Sequence, residues 1–189
     1  LTYTLTPKTY LSGGYHNINT FVKNETEQNN YPGNLFFGKI QQNIHRFDVS
    51  LSASVFNTEF GNVTQIGTQF GVALSGKSFP YLKSTAFYMN DYGYKRVIFQ
   101  QTAGAFVLKK IWAEANVTLG YLNNFADLNG LYFYNSYDPT VFRAAITLFA
   151  YINKNIILST NYSFNKKEVV ETLYRYNQHS ITGGIIWKL

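Results

Sequence analysis

The chain has 189 residues, which suits a single domain, and it combines 18% aromatic residues with only 14% charged residues. Soluble domains carry about 25% charged residues, so a fully hydrated surface is hard to build from this composition. The mean hydropathy is −0.16, and no apolar run approaches the ~20 residues of a membrane-spanning helix, which excludes a helical membrane protein.

The absence of cysteine excludes disulfides, thiolate metal sites and thiol nucleophiles. The net charge of +6 raises the question of an acidic partner or nucleic acid. No phosphate-binding loop, metal-ligand spacing or nucleic-acid module occurs, so we predict no cofactor, no metal and no nucleic-acid partner. The first residue is Leu1 rather than Met, which suggests a processed or truncated N-terminus.

In chain order, alternation of apolar and small polar residues predicts about ten antiparallel strands. The alternation is clearest in six segments, which are residues 47–55, 64–74, 111–121, 142–152, 156–164 and 178–189. Four noisier segments complete the set at residues 2–17, 33–43, 80–89 and 95–107.

The connections between these strands are of two kinds. Four are tight and basic, at residues 43–46, 75–79, 108–110 and 153–155. Five are polar and mostly longer, at residues 18–32, 57–61, 90–94, 123–140 and 166–173. The two kinds alternate strictly, as expected for a barrel with short periplasmic turns and extracellular loops, and an even strand number places both termini on the periplasmic side. Residues 131–137 resemble a further strand, and we interpret them as a strand extension above the membrane.

In each strand, the polar residues occupy every second position, called the polar parity below. Their composition indicates which face of the sheet points outward. The polar parity consists mainly of Ser, Thr, Asn, Gln and Gly with few charges, which suits a narrow polar lumen better than a hydrated surface. We therefore predict that residues 1–189 form one all-β domain, a transmembrane antiparallel up-and-down β-barrel in the bacterial outer membrane with lipid around it. A soluble β-barrel or sandwich is the alternative.

Charged residues on the polar parity are expected to pair inside the lumen, because an unpaired buried charge is costly. These lumen residues are Lys8, Lys39, Asp48, Lys83, Glu114 and Arg143. The excess of basic over acidic groups leaves open a narrow pore that passes anions.

A second basic set lies at the predicted turns and the C-terminus, namely Arg46, Lys77, Lys109, Lys110, Lys154 and Lys188. Basic charge at one end of a barrel indicates contact with phospholipid headgroups, or with an acidic periplasmic or outer-membrane protein.

The last strand carries alternating apolar residues at Ile181, Ile185, Trp187 and Leu189. This ending resembles the C-terminal strand that the barrel insertion machinery recognises, with Leu189 in place of the more usual Phe. With its Tyr- and Asn-rich strands and the sequence at residues 137–140, the chain resembles the small porin-like and YaiO-like barrels of Bacteroidota. YaiO-like barrels often follow a periplasmic domain, so the resemblance is compatible with the membrane domain of a longer protein.

Histidine is the residue most open to a catalytic interpretation. An omptin-like protease also has ten strands and uses acidic residues with a histidine, and His16, Asp91 and Asp138 lie near the predicted outer end. No paired acidic residues occur on matching strand ends. His45 falls in a turn and His179 on the lipid-facing parity. We therefore predict a non-enzymatic structural, anchoring or assembly component of an outer-membrane complex, with a narrow solute channel and a membrane-embedded hydrolase as alternatives.

Overall fold

A computed structural model describes residues 1–23, 28–58, 61–130, 132–134, 138–169, 172 and 174–187. The strands are β1 (Thr2–Thr6), β2 (Thr9–Lys23), β3 (Gln28–Ile44), β4 (Phe47–Thr58), β5 (Gly61–Ala73), β6 (Tyr81–Asp91), β7 (Tyr94–Leu108), β8 (Ile111–Leu122), β9 (Phe125–Ala126), β10 (Phe133–Tyr134), β11 (Thr140–Tyr151), β12 (Ile156–Glu168) and β13 (Arg175–Trp187). Within these residues there is no helix of the length and apolarity needed to cross a membrane.

Eleven strands form one antiparallel sheet in the order β1 to β8 followed by β11, β12 and β13, so each strand pairs with its neighbour in the chain. The short strands β9 and β10 pair only with each other, between β8 and β11. The structure thus confirms the predicted all-β, antiparallel, up-and-down architecture.

The prediction of one strand over residues 2–17 is wrong, because the chain reverses at Pro7 and Lys8 and the sheet gains a strand. Proline has no N–H and a fixed φ, so it favours a turn over a continued ladder. β1 folds back on β2 with Thr2 opposite Ser12. The amino group of Leu1 consequently donates a hydrogen bond to the carbonyl of Gly13 at 2.8 Å, alongside β2.

The two ends of the sheet differ. The tight turns at residues 7–8, 45–46, 74–80, 109–110 and 152–155 share one end, called the turn end below, and the four predicted basic turns are among them. At the opposite loop end, β2 and β3 remain paired as far as Lys23 and Gln28. The predicted loop over residues 18–32 is therefore mostly a continuing strand pair.

The predicted closure into a barrel is also wrong for this structure. Among the described strands, no ladder joins β13 to β1 or β2, and the sheet ends at β1 on one side and β13 on the other. Residues along β13 are almost all exposed. Because β13 and β2 run in opposite directions, they have the relative orientation that antiparallel pairing needs.

The two faces of the sheet differ strongly in polarity. In β4, Ser50 and Ser52 are buried on the inner face while Val49, Leu51 and Val55 are exposed on the outer face. The polar parity thus faces inward, as the sequence predicts. The buried hydrophobic cluster lies inside, in the half of the sheet nearer the loop end, and includes Leu35, Phe56, Val63, Phe87, Met89 and Ile98.

Candidate functional site

Between β8 and β11 the described residues fold into the interior, and residues 123–139 are called the plug segment below. Its hairpin of β9 and β10 pairs Ala126 with Phe133 and Phe125 with Tyr134. The structure describes residues 123–130, 132–134 and 138–139 of it. The prediction of a strand extension above the membrane over residues 131–137 is wrong at 133–134, whereas residues 131 and 135–137 lie outside the described part of the chain.

Apolar side chains anchor the plug segment to the inner face. The ring of Phe125 meets that of Phe87 edge-on, with centroids 4.9 Å apart, and Phe133 lies 4.5 Å from Phe56 on β4. Phe125 and Leu128 are only 2% and 5% exposed. Burying a phenylalanine contributes roughly 1.5–3 kcal/mol relative to leaving it exposed, so these contacts favour the docked position.

The side chain of Gln65 on β5 hydrogen-bonds to the backbone of the plug segment in the way that a neighbouring strand would. Its Nε2 donates to the carbonyl of Ala126 at 2.7 Å, and its Oε1 accepts from the N–H of Ala126 at 3.2 Å. All of these groups are buried, and a buried backbone amide without a partner would cost about 1–3 kcal/mol. One glutamine therefore satisfies both polar groups of this residue.

The tip of the plug segment reaches β2 and β3. His16 Nε2 lies 2.6 Å from the carbonyl of Gly130, and Lys39 Nζ donates to Asn129 Oδ1 at 2.7 Å. Gly130 has φ +64° and lies over the ring of Phe37. A side chain at this position would be strained by the backbone and would collide with that ring, so glycine allows the close approach.

On the opposite side, the plug segment contacts β11. The Arg143 guanidinium donates to the hydroxyl of Tyr134 and lies 5.4 Å from the centre of its ring. Burial raises the pKa of Tyr134, and the positive charge of Arg143 opposes that shift. The plug segment thus bridges the interior from β2 to β11.

Near the loop end a buried ion pair supports the entry to the plug segment. Arg96 NH1 lies 2.7 Å from Asp91 Oδ2, and the Asp91 side chain is only 4% exposed. Asn124 Nδ2 donates to the other carboxylate oxygen at 3.1 Å. The guanidinium also lies over the ring of Tyr121 at 4.3 Å. Arg96 was not among the residues predicted from the sequence.

Five of the six predicted lumen residues are partly buried on the inner face, and Lys8 instead lies exposed in the turn between β1 and β2. No ion pair joins any two of the six, all of which are described. Asp48 accepts from Gln69 at 2.8 Å, Glu114 accepts from the hydroxyl of Tyr81, and Lys83 lies over the Tyr81 ring at 5.3 Å. Neutral partners therefore replace the expected salt bridges.

The predicted basic turn residues Arg46, Lys77, Lys109, Lys110 and Lys154 are exposed at the turn end, and Lys8 joins them there. In the last strand, Ile181, Ile185 and Trp187 are exposed on the outer face. Lys188 and Leu189 lie outside the described residues.

Two of the three histidines, His16 and His179, have structural partners. His16 contacts Gly130 and stacks on Phe37, with ring centroids 5.8 Å apart, while Asp91 pairs with Arg96 and Asp138 accepts from the Tyr176 hydroxyl. His45 lies in a turn with φ 56°, and His179 lies 2.8 Å from the Tyr162 hydroxyl. In the part of the chain that is described, no group of three or more His, Cys, Asp or Glu side chains could hold a metal ion.

Comparison with known proteins adds no family to this geometry. No protein-family model matches the chain, and no curated protein matches it.

Proposed function

We propose that this chain is an outer-membrane protein that crosses the bilayer with its strands and serves as a non-conducting structural or anchoring component. The observation that carries the proposal is the reversed polarity of the sheet, with apolar residues outward and polar residues inward. Soluble two-layer β-folds bury their apolar face instead.

The distribution of charge supports a lipid-facing outer surface. Wherever the structure describes the side chain of a charged strand residue, that residue either faces the interior or lies at a strand end. The outer face between the ends carries aliphatic residues such as Leu51, Ile66 and Ile181. Exposed aromatic residues flank them, with Phe79 and Trp187 near the turn end and Tyr94 and Tyr174 near the loop end. An apolar band between two aromatic girdles is typical of transmembrane β-proteins.

The plug segment favours a structural role over an open channel. It fills the loop-end half of the interior with apolar side chains and is held on β2, β5 and β11 by hydrogen bonds. A water-filled channel needs a continuous polar path. The basic turn end is the surface we propose for phospholipid headgroups or an acidic partner, because six exposed cations lie there.

The free sheet edges impose a further condition. In hydrocarbon each unpaired backbone group costs several kcal/mol, so the edge of β13 must be covered in a membrane.

The decisive experiment is a charge placed on the outer face. Leu51→Arg should reduce refolding into lipid vesicles by about 2–4 kcal/mol, whereas Tyr94→Arg at the loop end should cost about 0–1 kcal/mol. Heat-modifiable migration on gels measures the folded fraction. Wild-type protein in planar bilayers should show little conductance. Equal refolding of the two arginine variants, or refolding that does not need lipid, would refute the membrane proposal, while large steady currents would refute the non-conducting role.

A further inference from the structure

A cavity of about 260 Å³ lies on the inner face where β11, β12 and β13 meet the plug segment. Its lining includes Arg143, Ser163, Asn165, Lys167, Gln178 and Ser180. Tyr134, Thr140 and Leu122 complete the wall. None of these residues has a role in the structural function proposed above, except that Arg143 and Tyr134 also hold the plug segment.

The wall of this cavity carries a cationic group at Arg143. None of the described residues that line the cavity is acidic. Within the described residues, no carboxylate lies at ion-pair distance from Arg143, whose partner is the neutral hydroxyl of Tyr134. Elsewhere in the interior, Arg96 has a carboxylate 2.7 Å away. A partly buried guanidinium has five N–H donors and pairs well with carboxylate and phosphate oxygens, so an anionic group is the complement that this wall lacks.

The rest of the lining consists of hydroxyl and amide groups. Ser163 and Ser180 hydrogen-bond to each other at 2.7 Å, and Asn165 and Gln178 lie opposite each other on β12 and β13. Such groups can both donate and accept, which matches the dual character of sugar hydroxyls. The volume falls just below the roughly 300 Å³ at which pockets for drug-sized ligands begin, which suits a single sugar ring.

We infer that this cavity binds an acidic sugar, a single ring bearing a carboxylate or phosphate, with Arg143 on the anionic group and the serine and amide side chains on the hydroxyls. The site needs only the described fold, so it does not depend on the membrane proposal.

The test is calorimetric titration of the full chain, folded in uncharged detergent at low salt. The probes are glucuronate, glucose 1-phosphate, glucose and inorganic phosphate. We expect the two acidic sugars to bind about tenfold or more tightly than glucose or phosphate, since a charge-assisted pair adds to the neutral hydrogen bonds. Octyl glucuronide in mixed micelles tests whether a lipid-borne sugar binds more tightly than the free one, and either result supports the site.

Arg143→Gln should weaken glucuronate binding by about tenfold. Because Arg143 also contacts the plug segment, Asn165→Ala provides an independent variant, which should weaken binding by about threefold while amide protection of Ala126 is unchanged. Lys109→Gln removes a cation at the distant turn end and should have no effect. No binding of either acidic sugar, equal affinity for glucose, equal affinity for phosphate, or wild-type affinity in Arg143→Gln would each overturn the inference. Heat-modifiable migration reports folding separately, so a failed titration differs from a failed membrane proposal.

Discussion

The docked position of the plug segment can be tested by removing its largest anchor with Phe125→Ala. The ring of Phe125 is 2% exposed and packs on Phe87 and on Tyr134, at centroid distances of 4.9 Å and 5.7 Å. Deleting a buried phenylalanine side chain costs about 3–5 kcal/mol. Because Phe125 lies in the plug segment and not in the sheet, we expect most of this cost to destabilise docking rather than the sheet.

Since 1.4 kcal/mol corresponds to a factor of ten, a cost of about 3–5 kcal/mol should raise the population of undocked plug by roughly 10²- to 4 × 10³-fold. The reporter is hydrogen exchange at the Ala126 amide, whose N–H is held by Gln65 Oε1 at 3.2 Å. Its protection should fall by the same factor, while amides between β4 and β5 keep theirs. Intermittent currents in planar bilayers should accompany this loss.

The matched control is Phe70→Ala, which deletes the same side chain from the outer face of β5, where Phe70 is 51% exposed. This variant should leave the Ala126 amide unchanged. Unchanged protection of Ala126 in Phe125→Ala, or an equal loss in both variants, would refute the claim that Phe125 holds the plug segment in the interior.

Four further predictions concern other parts of the molecule. Arg96→Gln should lower the free energy of unfolding by about 3–5 kcal/mol, because it leaves the buried Asp91 unpaired. Arg175→Gln should lower it by under about 1 kcal/mol, because the arginine side chain of that pair is 57% exposed. Equal denaturation midpoints in the two variants would contradict this. Gly67→Ala should destabilise the folded protein by about 1–3 kcal/mol, because the new methyl group would lie 2.6 Å from the Phe87 ring. Gly38→Ala should destabilise it less in the same unfolding assay, because a methyl group there would have no atom within 4 Å. The cysteine-free chain allows a topology test in which Tyr94→Cys is labelled on whole cells by an impermeant reagent and Lys154→Cys is not, and labelling of the latter would reverse the orientation. Lys109→Glu with Lys110→Glu should weaken binding to vesicles of anionic lipid, with about 1 kcal/mol lost per removed cation and a strong dependence on salt, and salt-independent binding equal to wild type would exclude a role for these lysines.

Strand positions could be predicted from the sequence because alternation with a period of two survives wherever one face is apolar and the other polar. β4 illustrates this, since Val49, Leu51 and Val55 alternate with serines and the structure places the two sets on opposite faces. The turn at Pro7 and Lys8 has a turn motif in the sequence, a proline followed by a polar residue. The alternation of apolar and polar residues continues in phase on both sides of it, so the pattern alone predicts one uninterrupted strand.

The plug segment was predicted to lie outside although its composition indicated burial. A connection of this length is uncommon unless it has a role, and Phe125 and Leu128 are costly to expose in an extracellular loop. Its contacts depend on which strands the sheet curvature brings together, and local sequence does not contain that information. The same limit explains why the salt bridges expected among Lys39, Asp48 and Glu114 were not found, because the neutral partners Gln69 and Tyr81 lie closer in the folded register.

The plug segment also has a consequence for the order in which the protein folds. Nearly all pairing in the main sheet joins strands adjacent in the chain, so each hairpin can form from local contacts. The contact between His16 and Gly130 instead spans 114 residues. Contacts between distant residues form slowly, since a long loop must close before they contribute. We therefore expect the sheet to assemble strand by strand around an unfilled interior, with docking of the plug segment as the last and slowest step. In a membrane, the assembling sheet should then conduct ions, and this conductance should be lost once the plug segment docks.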